Sequence, residues 1–123
     1  MRRRVLGDDY VDRAQAATSP FTAPFQEHIT LWVWGSVWTR TGLSQRDRSL
    51  LTIGLLTALH CTDELTVHVR AAVRGGLTAE EIGEVLLHTS AYAGVPAANA
   101  AFSTVQAALA EMGIDGAQPR DDG

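Results

Sequence analysis

Apolar residues along this chain recur at intervals of three and four. No stretch shows the sustained alternation, rich in β-branched residues, that marks a half-buried strand, so the pattern predicts an all-α protein of about six helices. A short first helix is expected over about Asp8 to Ala17, stopped by Thr18-Ser19-Pro20. A second starts near Pro24, because proline suits a first helical turn. That segment, PFQEHITLWVWGSVWTR, carries all three tryptophans. Its apolar residues Ile29, Leu31, Trp32, Val33, Val37 and Trp38 wrap much of the helix, which implies deep burial or cover by another subunit.

Further on, Ser44 offers a cap with Asp47 three residues later, and LLTIGLLTAL reads as a nearly all-apolar, central helix. A break at His60 to Thr62 leads into a helix that stops at Gly75-Gly76. Thr78 and Glu81 make a full capping box, with Leu77 and Ile82 at the positions of a hydrophobic staple. The helix they open runs to about Ala93. Gly94 closes it, and Pro96 starts the last one, whose alanine-rich sequence AANAAFSTVQAALAEMG provides closely packable faces. The expected organisation is one domain over 1–113 and a flexible tail over 114–123.

Composition narrows the possibilities without selecting among them. A length of 123 residues suits one domain whose burial partner subunits could extend, and 46% hydrophobic with 20% charged residues is ordinary for a globular protein. The net charge of −4 gives no broad reason to bind nucleic acid or an anionic membrane. The one basic cluster, Arg2 to Arg4, is not followed by an apolar run of signal-peptide length, and no segment is long and apolar enough to span a bilayer. A single cysteine, Cys61, excludes an internal disulfide framework and fits a reducing cytoplasm. The tryptophan segment and LLTIGLLTAL together offer more apolar surface than one small domain easily covers, so self-association is expected.

Chemistry concentrates in HCTDELTVHVR, residues 60–70. At helical spacing Cys61, Glu64 and His68 share a stripe beside an apolar stripe of Leu65, Val69 and Ala72, so the polar stripe borders the core. A carboxylate and an imidazole in that position can exchange protons near neutral pH. The same spacing also suits a simple surface pair of Glu64 with His68. His60, Glu64 and His68 recur at intervals of four, as metal ligands could, but without H-E-x-x-H or a cysteine cluster. Two-thiol redox chemistry lacks its second thiol, because Glu64 stands where C-x-x-C would place it.

The segments WGSVWTRTGLSQRDRSLLTIGLLTAL and DELTVHVRAAVRGGLTAEEIGEVLLHTSAYAGVPAANAAF resemble the carboxymuconolactone decarboxylase family of the alkylhydroperoxidase D-like superfamily. The likeness covers nearly all of residues 5–112. Its most specific parts are W-x-R-x-G-L, E-L-x-x-H-x-R and Y-x-G-V-P-A-A-N. In alkylhydroperoxidase D-like proteins the matching helix carries C-x-x-C-x-x-x-H. Cys61 and His68 fall on its first cysteine and its histidine, and Glu64 replaces the second cysteine, which points to the decarboxylase branch. Thr41 and Cys61 depart from that branch, where proline and a basic residue or histidine are usual.

The resemblance implies an alkylhydroperoxidase D-like helical bundle assembled as a homo-oligomer, commonly a hexamer, with a trimer or dimer as alternatives. It also implies cofactor-free decarboxylation of a lactone dicarboxylate, 4-carboxymuconolactone, to 3-oxoadipate enol-lactone, in the protocatechuate branch of the β-ketoadipate pathway, without a metal. The implied roles are proton delivery by His68 with Glu64, and carboxylate recognition by Arg40 and Arg48, whose guanidinium groups suit it. Trp34 and Trp38 would form an apolar wall, with Cys61, His88 and Tyr92 around the site. His28 beside Glu27 reads as structural. Two other classes stay open: a peroxidase or thiol-redox protein, and a non-catalytic oligomeric member.

Overall fold

The computed structural model describes residues 1–114, and these contain helices and no strand, as the periodicity requires. The expected tail at 114–123 lies outside the described residues except for Ile114, which packs partly buried against the core. The chain divides into two compact units, Met1–Arg48 and a second beginning at Ser49. Among the described residues there are seven α-helices and one π-helical segment, more elements than the six expected.

The first unit holds α1 (Arg2–Leu6), α2 (Asp8–Ala16), α3 (Ala23–Ile29) and the π-helix Thr30–Val37. Helix α1 is a correction, since Arg2 to Arg4 read as a basic cluster outside any helix. Its Val5 and Leu6 are buried, and Gly7, at φ 89°, makes the joint to α2 that an L side chain would resist. The tryptophan segment also departs from a regular α-helix. The Trp38 amide bonds to the Val33 carbonyl at 2.9 Å and the Ser36 hydroxyl to the Leu31 carbonyl at 3.2 Å, both five residues back. This wider turn brings Trp34 and Trp38 into a stack, with ring centroids 5.2 Å apart, and both are buried. Trp32 and Leu31 stay exposed.

Helix α4 (Gln45–Ala58) starts at the end of the first unit, where the Ser44 hydroxyl accepts the Asp47 amide at 3.0 Å, and carries the chain into the second. There follow α5 (Thr62–Arg74), α6 (Ala79–Ala93) and α7 (Val95–Glu111). Helix α7 packs against both α5 and α6. Its small residues Ala97, Ala98, Ala101 and Ala108 are buried with Val105 and Leu109, and the absence of bulk lets the neighbouring backbones approach. The core is completed by Ile53, Leu65, Val69, Ile82 and Leu86. The central helix is therefore α7. LLTIGLLTAL in α4 buries Ile53 and Thr57, while Leu51, Leu55 and Leu59 are 54%, 53% and 68% exposed in the single chain.

Helix ends obey the local rules. Thr78 and Glu81 form the reciprocal capping box, with both bonds at 3.1 Å. Three helices close with the same paired bonds. The Cys61 amide reaches Leu56 and His60 reaches Thr57; Leu77 reaches Ala72 and Gly76 reaches Val73; Ile114 reaches Leu109 and Gly113 reaches Ala110. The left-handed residue in these motifs is Gly76 at φ 104° and Gly113 at φ 71°, but in the first it is His60 at φ 58°.

Candidate active site

Helix α5 sits as its two stripes foretell: Leu65, Val69 and Ala72 point into the core of the second unit, and His68 is half-buried at its edge. Glu64, one turn earlier, is exposed. Burial pushes the His68 imidazole below its ordinary pKa of 6.5, because the cation loses hydration, while the charge of Glu64 pulls the other way. Desolvation dominates, so burial more than its carboxylate neighbour tunes His68. An imidazole in this state is neutral at pH 7 and takes up a proton when further negative charge comes near.

Cys61 is half-buried at the N-cap of α5, and its thiol makes one long contact, 3.7 Å, to the Leu59 carbonyl. Among the described residues no three His, Cys, Asp or Glu side chains converge as metal ligands, and His60, Glu64 and His68 therefore do not form a cage.

Two further expected site residues lie on α6. His88 and Tyr92 are exposed, with ring centroids 5.2 Å apart. His88 lines a groove of about 610 Å³ between α4 and α6, walled by Leu51, Leu55 and Val85 and edged by Glu81 and Glu84. His68, Glu64 and Cys61 are not among its lining residues. Glu84 had not been singled out, and Glu81 only as a cap. Their spacing with Val85 and His88 along one helical face was the available signal.

In the first unit, Arg40 is exposed and Arg48 half-buried. Arg48 Nη2 donates to the Arg40 main-chain carbonyl at 3.2 Å, so it braces the turn that carries Arg40. Trp34 and Trp38 form the buried stack described above, and His28 stacks on Trp32 at 5.9 Å on the exposed side.

Helices without a strand among the described residues, with a half-buried histidine one turn beyond an exposed carboxylate at the edge of the core, define a small helical protein with an acid–base pair on α5. The comparisons with known proteins make this specific. The model of the "Carboxymuconolactone decarboxylase family" matches residues 23–107, and the chain belongs to that family. It is 42% identical to the 4-carboxymuconolactone decarboxylase of Acinetobacter baylyi over 114 residues, which cover 93% of this chain and 85% of that protein. It is 43% identical to the nitrosuccinic acid decarboxylase of Metarhizium robertsii over 112 residues, covering 91% of this chain and 78% of the relative. Among the described residues no helix is long and apolar enough to cross a membrane.

Proposed function

We propose that this protein decarboxylates 4-carboxymuconolactone to 3-oxoadipate enol-lactone. The observation that carries the reading is its 42% identity, over 93% of the chain, to a protein of that activity. The departing carboxylate and a carboxymethyl arm sit on the ring carbon beside the ring oxygen. When the carbon–carbon bond breaks, its electron pair passes through the ring double bond onto the lactone carbonyl, giving a dienolate. The substrate is its own electron sink, so the chemistry calls for no cofactor. The dienolate then takes one proton at the ring carbon next to the carbonyl.

His68 is the proposed proton donor. Its imidazole is neutral before substrate arrives, and the negative charge of a dicarboxylate, added to that of Glu64, raises its proton affinity until it holds the proton to be delivered. Arg40 is the proposed partner of the spectator carboxylate, held by Arg48. Trp34 and Trp38 supply the apolar surface that weakens solvation of the departing group. Cys61, His88 and Tyr92 have supporting roles at most, and for His88 a place in the α4–α6 groove is the better description. The enzyme is proposed to act in the cytoplasm as a homo-oligomer, hexameric by preference, in which the exposed Leu51, Leu55 and Leu59 are covered.

A second reading has a specific observation behind it, because the nitrosuccinic acid decarboxylase is as similar as the lactone enzyme. In both named acids the departing carboxylate sits on a carbon that bears an electron acceptor and a carboxymethyl arm. In nitrosuccinic acid the nitro group receives the electron pair. The test is carbon dioxide release from each acid by the purified protein, with His68→Ala and Cys61→Ser in parallel. Turnover of the lactone by the wild type and by Cys61→Ser is expected, with a loss of roughly 10² in His68→Ala. An inert but folded wild type refutes the decarboxylase reading, and loss of activity in Cys61→Ser favours thiol chemistry.

A further inference from the structure

Two arginines on the first turn of α1 live in opposite surroundings. Arg3 is compensated, bonding to Asp8 at 3.1 Å, Asp12 at 2.9 Å and the Gln15 side-chain oxygen at 3.2 Å. Arg2 meets only neutral oxygens, Gln26 Oε1 at 3.3 Å and Thr30 Oγ1 at 3.5 Å, both through Nη1 and both long for a guanidinium bond. Its Nε is shielded from solvent and meets no acceptor, and no carboxylate among the described residues pairs with it. A shielded N–H without an acceptor is a standing cost that an incoming anion would relieve.

Arg2 also borders empty space. It lines a hollow of about 290 Å³ within the first unit, together with Val11, Gln15, Thr30 and Trp34, and a second of about 340 Å³ that shares Gln15 and Thr30 with the first. The first hollow is floored by the nearly fully buried Val11 and Trp34 beside the guanidinium and lined also by Met1 and Arg3, and no acidic side chain lines it. Glu27 lines the second, which disfavours an anion there. Gln15 uses its oxygen on Arg3, and that leaves its amide N–H groups as donors.

We propose that the first hollow binds the carboxylate end of a small aliphatic acid, gripped side-on by Arg2 with a small turn of its guanidinium that frees Nε, while Val11 and Trp34 receive the aliphatic body. The side-on edge of a guanidinium matches the two oxygens of a carboxylate; a neutral amide has only one acceptor oxygen, and sulfate offers the oxygens but no aliphatic body for the apolar wall. The inference rests on the first unit alone; the hollow shares Trp34 with the apolar surface proposed above for the departing group, and His68 plays no part in it.

The test is nuclear magnetic resonance of the ¹⁵N-labelled full chain, following arginine Nε–H signals during titration with propionate, and with propionamide and sulfate as controls. The Arg2 signal, assigned through the bonds and by its loss in Arg2→Lys, is expected to shift saturably with propionate and not with propionamide. Calorimetry is expected to show propionate binding weakened about tenfold in Arg2→Lys and kept in His68→Ala, which separates this site from the proposed reaction. An Arg2 signal that propionate leaves unmoved overturns the proposal without depending on any variant. So does an equal response to sulfate, or binding that vanishes in His68→Ala.

Discussion

Three helices of the second unit end in the same hydrogen-bonded motif, yet one of them uses histidine where the other two use glycine. Left-handed backbone costs an L residue roughly 1–2 kcal/mol, because Cβ crowds the following carbonyl. Glycine escapes that cost but loses about 0.5–1 kcal/mol more conformational freedom on folding. At His60, with φ 58° and its motif bonds formed at 2.9 and 3.2 Å, the difference favours glycine. His60→Gly is therefore expected to stabilise the protein by about 0.5 kcal/mol, a rise of roughly 2 °C in Tm for a chain of this size. The reciprocal change gives the larger signal. A Cβ placed at Gly76 would meet no atom within 4 Å, so Gly76→Ala reports the backbone alone. With φ 104°, it should cost at least about 1 kcal/mol. Urea midpoints at fixed protein concentration, which holds any subunit association constant, provide the measurement. If His60→Gly destabilises while Gly76→Ala behaves as expected, the His60 side chain makes a stabilising contact and the strain argument fails at that position.

Other expectations are more compact. Thr78→Ala removes the acceptor for the Glu81 amide and should cost about 1 kcal/mol by urea denaturation, with Thr78→Ser recovering most of it. Lowered protonation of His68 also has a sign that can be worked out. Between its folded-state pKa and 6.5 the unfolded chain binds more protons than the folded one, so stability rises with pH across that window, is flat above it, and is lowest below it. Urea midpoints from about pH 5 to pH 7.5 should show that slope, and His68→Gln should flatten it. An unchanged slope in the variant would assign the pH dependence to another group.

The chain's local features were legible because their causes are local. The capping box at Thr78, the cap at Ser44 and the stop at Gly75-Gly76 depend on residues within a few positions of one another, and all stand in the structure as expected. The two stripes of α5 were readable for the same reason, since helical geometry alone assigns Leu65 and Val69 to one and His68 to the other. Family membership was readable too, because motifs such as E-L-x-x-H-x-R and Y-x-G-V-P-A-A-N are strings of residues.

What tertiary structure decided lies where local preference underdetermines the answer. Whether LLTIGLLTAL or the alanine-rich α7 would be the central helix could not follow from hydrophobicity, because centrality depends on how closely backbones approach. The small side chains of α7 permit contact with two neighbours at once. A π-helical turn that stacks Trp34 on Trp38 leaves no pattern distinct from a crowded α-helix, and the short α1 is carried by the burial of Val5 and Leu6. Arg2 and Arg3 are identical neighbours in sequence. Only the positions of Asp8, Asp12, Gln26 and Thr30 make one a neutralised surface charge and the other a guanidinium that meets neutral oxygens beside a hollow.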